Sequence, residues 1–237
     1  MPPEITISPQ SLPAWLQIAE LLTRDIVAGR LVDGQRLAPE REMAVDMGVS
    51  VGTLRKALSR MTEQGLIERV QGSGNYVRAG GDTGSVYAMF RLELPGGGGL
   101  PRAQVLSVAH LAKPADLPAF GTHDSGTRIR RLRRLNDVVI AVEEIWLDAG
   151  AGQLTADNLS ESLYATYAKA LGLWVVRAED RVSLDEAPPW TPDIFGLPPG
   201  APCGYIERLS WADRPAAIEY SRTWFDPTRA VYVQRLK

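Results

Sequence analysis

The sequence predicts an α+β protein in two parts. Residues 12–79 carry helical periodicity with a turn residue at each break, and residues 87–237 carry mostly short apolar runs of strand character. Between them "AGGDTGS" (79–85) is small and polar, a linker by composition, with 80–86 as its bounds. Runs of strands with segregated helices define the α+β class.

The elements follow in order. Residues 14–28 place apolar side chains at 15, 18, 19, 22 and 26, a helical period, and Gly29 is the stop. "LVDGQRL" is a turn around Asp33 and Gly34. "PEREMAVDMG" is a short helix, with Pro39 in its first turn, Glu40 and Glu42 at its positive end and Gly48 as its stop. A third helix follows Ser50, which caps it; Leu54, Ala57, Leu58 and Met61 form its core stripe and Gly65 ends it. "LIERV" and "NYVRA" are strands around a glycine-rich "QGSG" tip.

Beyond the linker the strand candidates are "SVYAMFRLEL", "TRIRRLRRL", "VVIAVEEIWL", "LWVVRAEDRVSL", "CGYIERLSWA", "PAAIEYSRTWF" and "AVYVQRL". "GGGG" (96–99) is a loop and "WADRPA" a tight turn. One clear helix spans 160–172, with Ser160 as cap, Leu163, Tyr167 and Leu171 on one face and Gly172 as stop.

Composition limits the function classes. The chain has 237 residues, 45% of them hydrophobic, enough for two packed cores. No apolar run is long enough to span a membrane and no basic-then-apolar leader opens the chain, so a cytoplasmic protein is expected. Cys203 is the single cysteine, which excludes an internal disulfide, and two histidines are too few for a metal site; no cofactor is expected. Net charge is −2, but residues 50–78 hold five positive residues (Arg55, Lys56, Arg60, Arg69 and Arg78) against Glu63 and Glu68. Local charge matters more than the global sum for phosphate contact.

A helix-turn-helix needs small residues in its turn, an apolar stripe for docking, and cationic or hydroxyl groups on the outer face of its second helix. "REMAVDMGVSVGTLRKALSRM" supplies all three, as a helical hairpin in an ordinary core also could. Gly72 and Gly74 in the hairpin tip allow backbone to approach a phosphate or a minor groove, or make an ordinary tight turn.

The stretch "GQRLAPEREMAVDMGVSVGTLRKALSRMTEQGLIERVQGSGNYV" resembles the winged-helix domain of GntR-family bacterial transcription regulators. The resemblance covers 12–79 and rests on "PERE", "GVS", "LRKAL" and "QGLIERVQGSG" in combination. It implies a homodimer on two-fold-symmetric, double-stranded operator DNA. It also implies DNA contacts by Arg41 from the second helix and Arg55 from the recognition helix, by the hydroxyls of Ser50 and Thr53 on phosphates, and by the tip residues Gln71, Gly72 and Ser73. Many members carry arginine at the position of Val51 and a hydroxyl at that of Gly52. Arginine pairs bidentately with guanine, whereas valine packs only on a thymine methyl. Positions 51 and 52 are therefore where this chain's operator is expected to diverge. Arg41 pairing with a neighbouring glutamate, Thr53 acting only in a cap, and Arg55 and Lys56 as a solvated face are the competing structural readings.

In the second part Arg128, Arg130, Arg131, Arg133 and Arg134 crowd one strand, and alternation puts Arg131 and Arg133 on one face. Two guanidiniums on one side clamp a carboxylate or phosphate; a solvated sheet face would look the same. Glu143 and Glu219 sit amid apolar neighbours and need partners, either these arginines or a ligand. "RIRRLR", "IAVEEIWL", "LSESLYATYAKALGL", "FGLPPGAPCGYIERLSW" and "IEYSRTWFDP" resemble the UTRA effector-binding domain of the HutC subfamily. That resemblance implies a chorismate-lyase-like α+β fold with a mainly antiparallel sheet over 87–237, serving effector binding and dimerisation. It implies a small, anionic effector held by Arg131, Arg133 and Ser162, with Tyr164 in the same "SLY". Glu143 and Glu219 would hold its hydroxyl or amino groups. Phe225 stands where many sugar-phosphate sensors have tyrosine. The expectation is thus a ligand-responsive repressor. A lyase-type enzyme on the same fold and a DNA-binding dimer without effector are the alternatives; fold by itself does not choose.

Overall fold

The computed structural model describes residues 12–78, 87 and 89–235. The chain divides into two compact units between Leu100 and Pro101. The expected linker at 80–86 lies outside the described residues, as do 85, 86 and 88 of the expected strand "SVYAMFRLEL". Of its described residues only Leu92–Glu93 (β3) is strand.

The first unit holds α1 (Ala14–Val27), α2 (Glu40–Asp46), α3 (Val51–Glu63), β1 (Ile67–Val70) and β2 (Gly74–Val77). Each helix ends where a glycine adopts positive φ, namely Gly29, Gly48 and Gly65. Pro39 occupies the N-cap of α2, one residue before the first turn in which the sequence placed it. Ser50 caps α3, its Oγ accepting the N–H of Thr53 at 3.1 Å. The predicted stripe is the core: Leu54, Ala57 and Met61 are fully buried, as is Leu58 nearly so. They pack on Ile18, Ala19, Leu22 and Ile26 of α1, Met43 and Ala44 of α2, and Ile67 and Val77 of the hairpin. The chain after Gly34 runs beside β2, with Leu37 N–H donating to the Asn75 carbonyl and Val77 N–H to that of Gln35, both at 2.9 Å. The hairpin is thereby tied to the helices. Residues after the undescribed stretch return to α1, where Arg24 Nη2 donates to the Leu92 carbonyl at 2.7 Å.

The second unit is a six-stranded antiparallel sheet in the order β4-β5-β6-β9-β8-β7. Its strands are β4 (Pro101–Ala112), β5 (Ser125–Leu135), β6 (Val138–Asp148), β7 (Arg177–Glu186), β8 (Pro202–Trp211) and β9 (Glu219–Phe225); the two-residue β10 (Val231–Tyr232) follows. β4 was not among the sequence candidates. It is an edge strand with most positions half-exposed or exposed, so neither face imposes an apolar alternation. Among the described residues of "AVYVQRL" only Val231 and Tyr232 are strand, and the strand expected from Leu173 begins at Arg177.

The helix α4 (Leu163–Leu171) covers one face, with Leu163 and Tyr167 packed on Ile129, Ile145 and Leu147. Its cap is Ser162, whose Oγ accepts the Ala165 N–H at 3.3 Å, not Ser160. Ser160 instead holds the loop, its hydroxyl donating to the Ser162 carbonyl at 2.8 Å. The opposite face is covered by the segment between β7 and β8, where Phe195 packs on Leu132, Val142 and Trp224. Both faces of β6 are therefore buried, and this explains why its sequence runs apolar without alternation.

Candidate DNA-binding and effector sites

In the first unit a groove of about 710 Å³ lies between the start of α2 and the hairpin tip. Arg36, Arg41, Arg55 and Arg69 line it together with Gln71, Gly72 and Ser73. Gly72 has φ of +75°, so the turn at the tip favours a residue without Cβ. Ser73 Oγ lies 2.6 Å from the Tyr76 hydroxyl, which steadies the tip from within.

Glu40, which lines the groove with Glu42, pairs with two of its four arginines. Arg55 Nε donates to Glu40 Oε2 at 2.6 Å, and Arg69 Nη2 lies 3.4 Å from Glu40 Oε1. The Arg55 hydrogen bond, with the nearby cations, outweighs desolvation and holds Glu40 below the ordinary glutamate range. Arg41 is exposed and makes no ion pair among the described residues, so the pairing considered for it belongs to Arg55. Both arginines are more than half exposed, at 61% and 64%, so these pairs contribute about 0–1 kcal/mol. Sequence reading counted Arg69 only in the local basic balance and missed Arg36, because their placement in the groove depends on how the hairpin folds back on α2.

At the start of α3, Ser50 and Thr53 hydroxyls lie 2.8 Å apart, and Ser50 also caps the helix. Val51 is half-buried against the helical core. Gly52 is exposed, and a Cβ there would meet only Ser50 Oγ at 3.8 Å. No packing demands glycine at 52. Lys56 turns away from the groove, its Nζ 4.7 Å from the centre of the Trp15 ring.

The second site lies on the α4 face of the sheet. β-Pairing sets Arg131 directly opposite Glu143, and Arg133 opposite Ala141 next along β6. Both arginines share that face and are nearly wholly buried. Arg131 donates to Glu143 Oε2 from Nε at 3.0 Å and from Nη2 at 2.7 Å. Arg133 Nε lies 3.4 Å from Glu143 Oε1. Burial would raise the Glu143 pKa, but the Arg131 and Arg133 guanidiniums overcome it and hold the carboxyl below its ordinary range. Both guanidiniums also reach the Glu161 carbonyl, at 3.4 and 3.2 Å, immediately before the Ser162 cap. Two buried cations thus meet one carboxylate and the positive end of a helix.

Glu219 forms the other half of the cluster. It accepts from the Tyr167 hydroxyl, from Ser210 Oγ at 3.0 Å and from the Tyr164 hydroxyl at 3.4 Å. Burial raises its pKa despite these donors. Burial and the Glu219 charge push Tyr164 up to about 12. Beyond Glu219, Arg208 is bound by Asp180 through Nε at 2.5 Å and Nη2 at 2.7 Å. Tyr167, Ser210, Arg208 and Asp180 were not found by sequence reading. Tyr167 looked like a core residue, which it also is, and the other three become neighbours only through strand order. Phe225 lies at the far end of β9, its ring against Gly204, where a Cβ would fall 2.2 Å from a ring carbon.

A winged helix-turn-helix unit followed by a sheet with a buried, cation-lined cluster defines a two-domain, ligand-binding transcription regulator. The "Bacterial regulatory proteins, gntR family" model matches residues 15–77 and the "UTRA domain" model residues 97–230. The chain belongs to the GntR family and carries a UTRA domain. It is 57% identical to the HTH-type transcriptional regulator SmoD of Agrobacterium fabrum, over 96% of this chain and 97% of that one. It is 26% identical to the HTH-type transcriptional repressor NagR of Bacillus subtilis, over 97% of both. Among solved structures, PhnF of Mycobacterium smegmatis shares the fold with a TM-score of 0.51 at 19% identity, covering 93% of this chain and 99% of that one. YydK of Bacillus subtilis does so with a TM-score of 0.53 at 18% identity, covering 95% and 100%. No helix among the described residues is long and apolar enough to cross a membrane.

Proposed function

We propose that the protein is a cytoplasmic repressor that binds a two-fold-symmetric operator as a homodimer and responds to a small anionic effector. The observation that carries this reading is the pair of buried guanidiniums beneath the start of α4. Arg131 and Arg133 share one carboxylate, Glu143, in a buried site. An oxyanion of the effector suits these two guanidiniums, and the Ser162 end of α4 adds its dipole. Glu219, Tyr164 and Ser210 are hydrogen-bonded to one another and suit hydroxyl or amino groups of the ligand. Phe225 provides no hydroxyl, so its end of the site contributes packing alone. The names of the relatives, all regulators or repressors, support the regulatory half of the reading over a lyase.

Operator sites are first selected from a random duplex pool. Arg131→Ala then keeps wild-type operator affinity and loses the response to effector. The test is a binding titration with and without hexose phosphates and inorganic phosphate; a folded Arg131→Ala variant that no longer binds operator refutes the assignment.

On the DNA side, Arg41, Arg55 and the tip residues Gln71, Gly72 and Ser73 carry the contacts, with Ser50 and Thr53 at the phosphates. Val51 and Gly52 leave the first turn of α3 without a base-reading cation. Val51→Arg is expected to change the selected operator toward a guanine at one position in each half-site. A bidentate pair discriminates bases by roughly 1–3 kcal/mol. Selection repeated with the variant checks this, and an unchanged consensus shows that position 51 reads no base.

A further inference from the structure

A second cavity, of about 550 Å³, opens on the face of the sheet opposite α4. Its walls come from β5, β6 and β9, from the end of β7 with Asp185 and Glu186, and from the segments that follow β4 and β7, so it shares strands with the site above but none of its side chains. Its size falls within the range of small-molecule pockets.

Three guanidiniums line it, and two have carboxylates. Arg130 Nε donates to Glu144 Oε2 at 2.8 Å, and Arg222 Nη2 to Asp116 Oδ2 at 2.7 Å. Glu144 is used on both oxygens, because Trp146 Nε1 donates to Oε1 at 3.1 Å. Arg128 has no hydrogen bond or ion pair among the described residues. The Nε groups of both Arg128 and Arg222 are buried without an acceptor. Each such N–H is destabilising until something accepts from it. Burial, together with the like charge of Arg130, lowers the Arg128 pKa, and a neighbouring anion would relieve both effects.

The rest of the wall is aromatic. Trp190 is half-buried, has Arg130 stacked 4.5 Å from its centre, and meets Trp224 edge-on at 5.8 Å. Trp224 is fixed from below by its Nε1 bond to Asp185 at 2.9 Å. An indole wall beside a guanidinium whose Nε has no acceptor suits a ligand with two features: a flat ring and an attached oxyanion.

We propose that this cavity is a second small-molecule site, for a carboxylate or phosphate carried on a planar ring, bound by Arg128 and Arg222 with the ring against Trp190. The proposal does not rest on the operator or on the effector site under α4.

Benzoate and inorganic phosphate are the probes, titrated into the full-length protein and followed by tryptophan fluorescence and by the indole N–H resonances. Benzoate is expected to give a saturable change, with the Trp190 and Trp224 resonances moving most; phosphate competes with it more weakly because it lacks the ring. Arg128→Gln weakens benzoate binding at least tenfold, and Arg128→Lys, which keeps the charge, weakens it less. Trp190→Phe keeps a ring and retains binding. Arg131→Ala leaves it unchanged. The proposal is overturned if benzoate binding survives Arg128→Gln or disappears with Arg131→Ala. It is equally overturned if Arg128→Gln alters subunit association while benzoate has no saturable effect, which would make the face a protein contact.

Discussion

Glu143→Gln is expected to destabilise the second unit by roughly 3–5 kcal/mol, because it leaves buried cations without their carboxylate. Arg131 and Arg133 are both nearly wholly buried, and Glu143 is the carboxylate with which both form ion pairs. The amide conserves shape and still accepts a hydrogen bond, so the loss reports the charge. For a unit of this size the thermal midpoint should fall by on the order of 10 °C. The pH dependence has a definite sign. The folded-state pKa of Glu143 lies below its ordinary value, so its stabilisation is complete above the unfolded-state pKa and is lost as pH falls through the folded-state one. Wild-type stability should therefore decline into acid, and the variant, which lacks this group, should be less stable at neutral pH and flatter below. Inorganic phosphate should recover part of the loss in the variant and stabilise the wild type less. Scanning calorimetry across pH, with and without phosphate, measures all three effects. An unchanged midpoint at neutral pH would mean that the two guanidiniums do not depend on this carboxylate.

Leu54→Ala is the second large effect and acts on the DNA-binding unit. Leu54 is fully buried where α3 packs on α1 and α2. Truncating a buried leucine costs about 2–5 kcal/mol through lost transfer energy and the residual cavity. A unit of this length has about 0.05–0.15 kcal/mol per residue in hand, so the variant uses up much or all of its stability. Operator binding should fall sharply at physiological temperature, while the thermal transition of the second unit persists. Calorimetry combined with an operator titration separates the two. Undiminished operator affinity would show that the α3 core tolerates the cavity.

The helical unit was legible in the sequence because its signals are local. The stripe at 54, 57, 58 and 61 and the glycines at 29, 48 and 65 each act within one turn of the chain, and each appears where expected. The strands β5, β6, β8 and β9 were also legible, since burial of at least one face writes an apolar pattern. β4 was not, because an edge strand with half-exposed residues on both sides carries no such pattern. The helix cap shows the same limit. Ser160 and Ser162 are equally good caps locally, and the choice falls on Ser162 where Arg131 and Arg133 hold the Glu161 carbonyl just ahead of the helix.

Sequence by itself determined the class of fold, the winged-helix and UTRA resemblances, and the pairing of Arg131 with Arg133 on one face. These depend on periodicity, turn chemistry and alternation, all of which act over a few residues. Tertiary structure alone decided which charges meet. It placed Glu40 on Arg55 rather than leaving it to Arg41, and it gave Glu143 to both arginines. It brought Tyr167, Ser210 and Tyr164 to Glu219 from elements far apart in the chain. It also left Arg128, on the opposite face, without a hydrogen bond or ion pair among the described residues. Strand order and register fix such meetings, and no short stretch of sequence encodes the distance between residues that only the folded sheet makes neighbours.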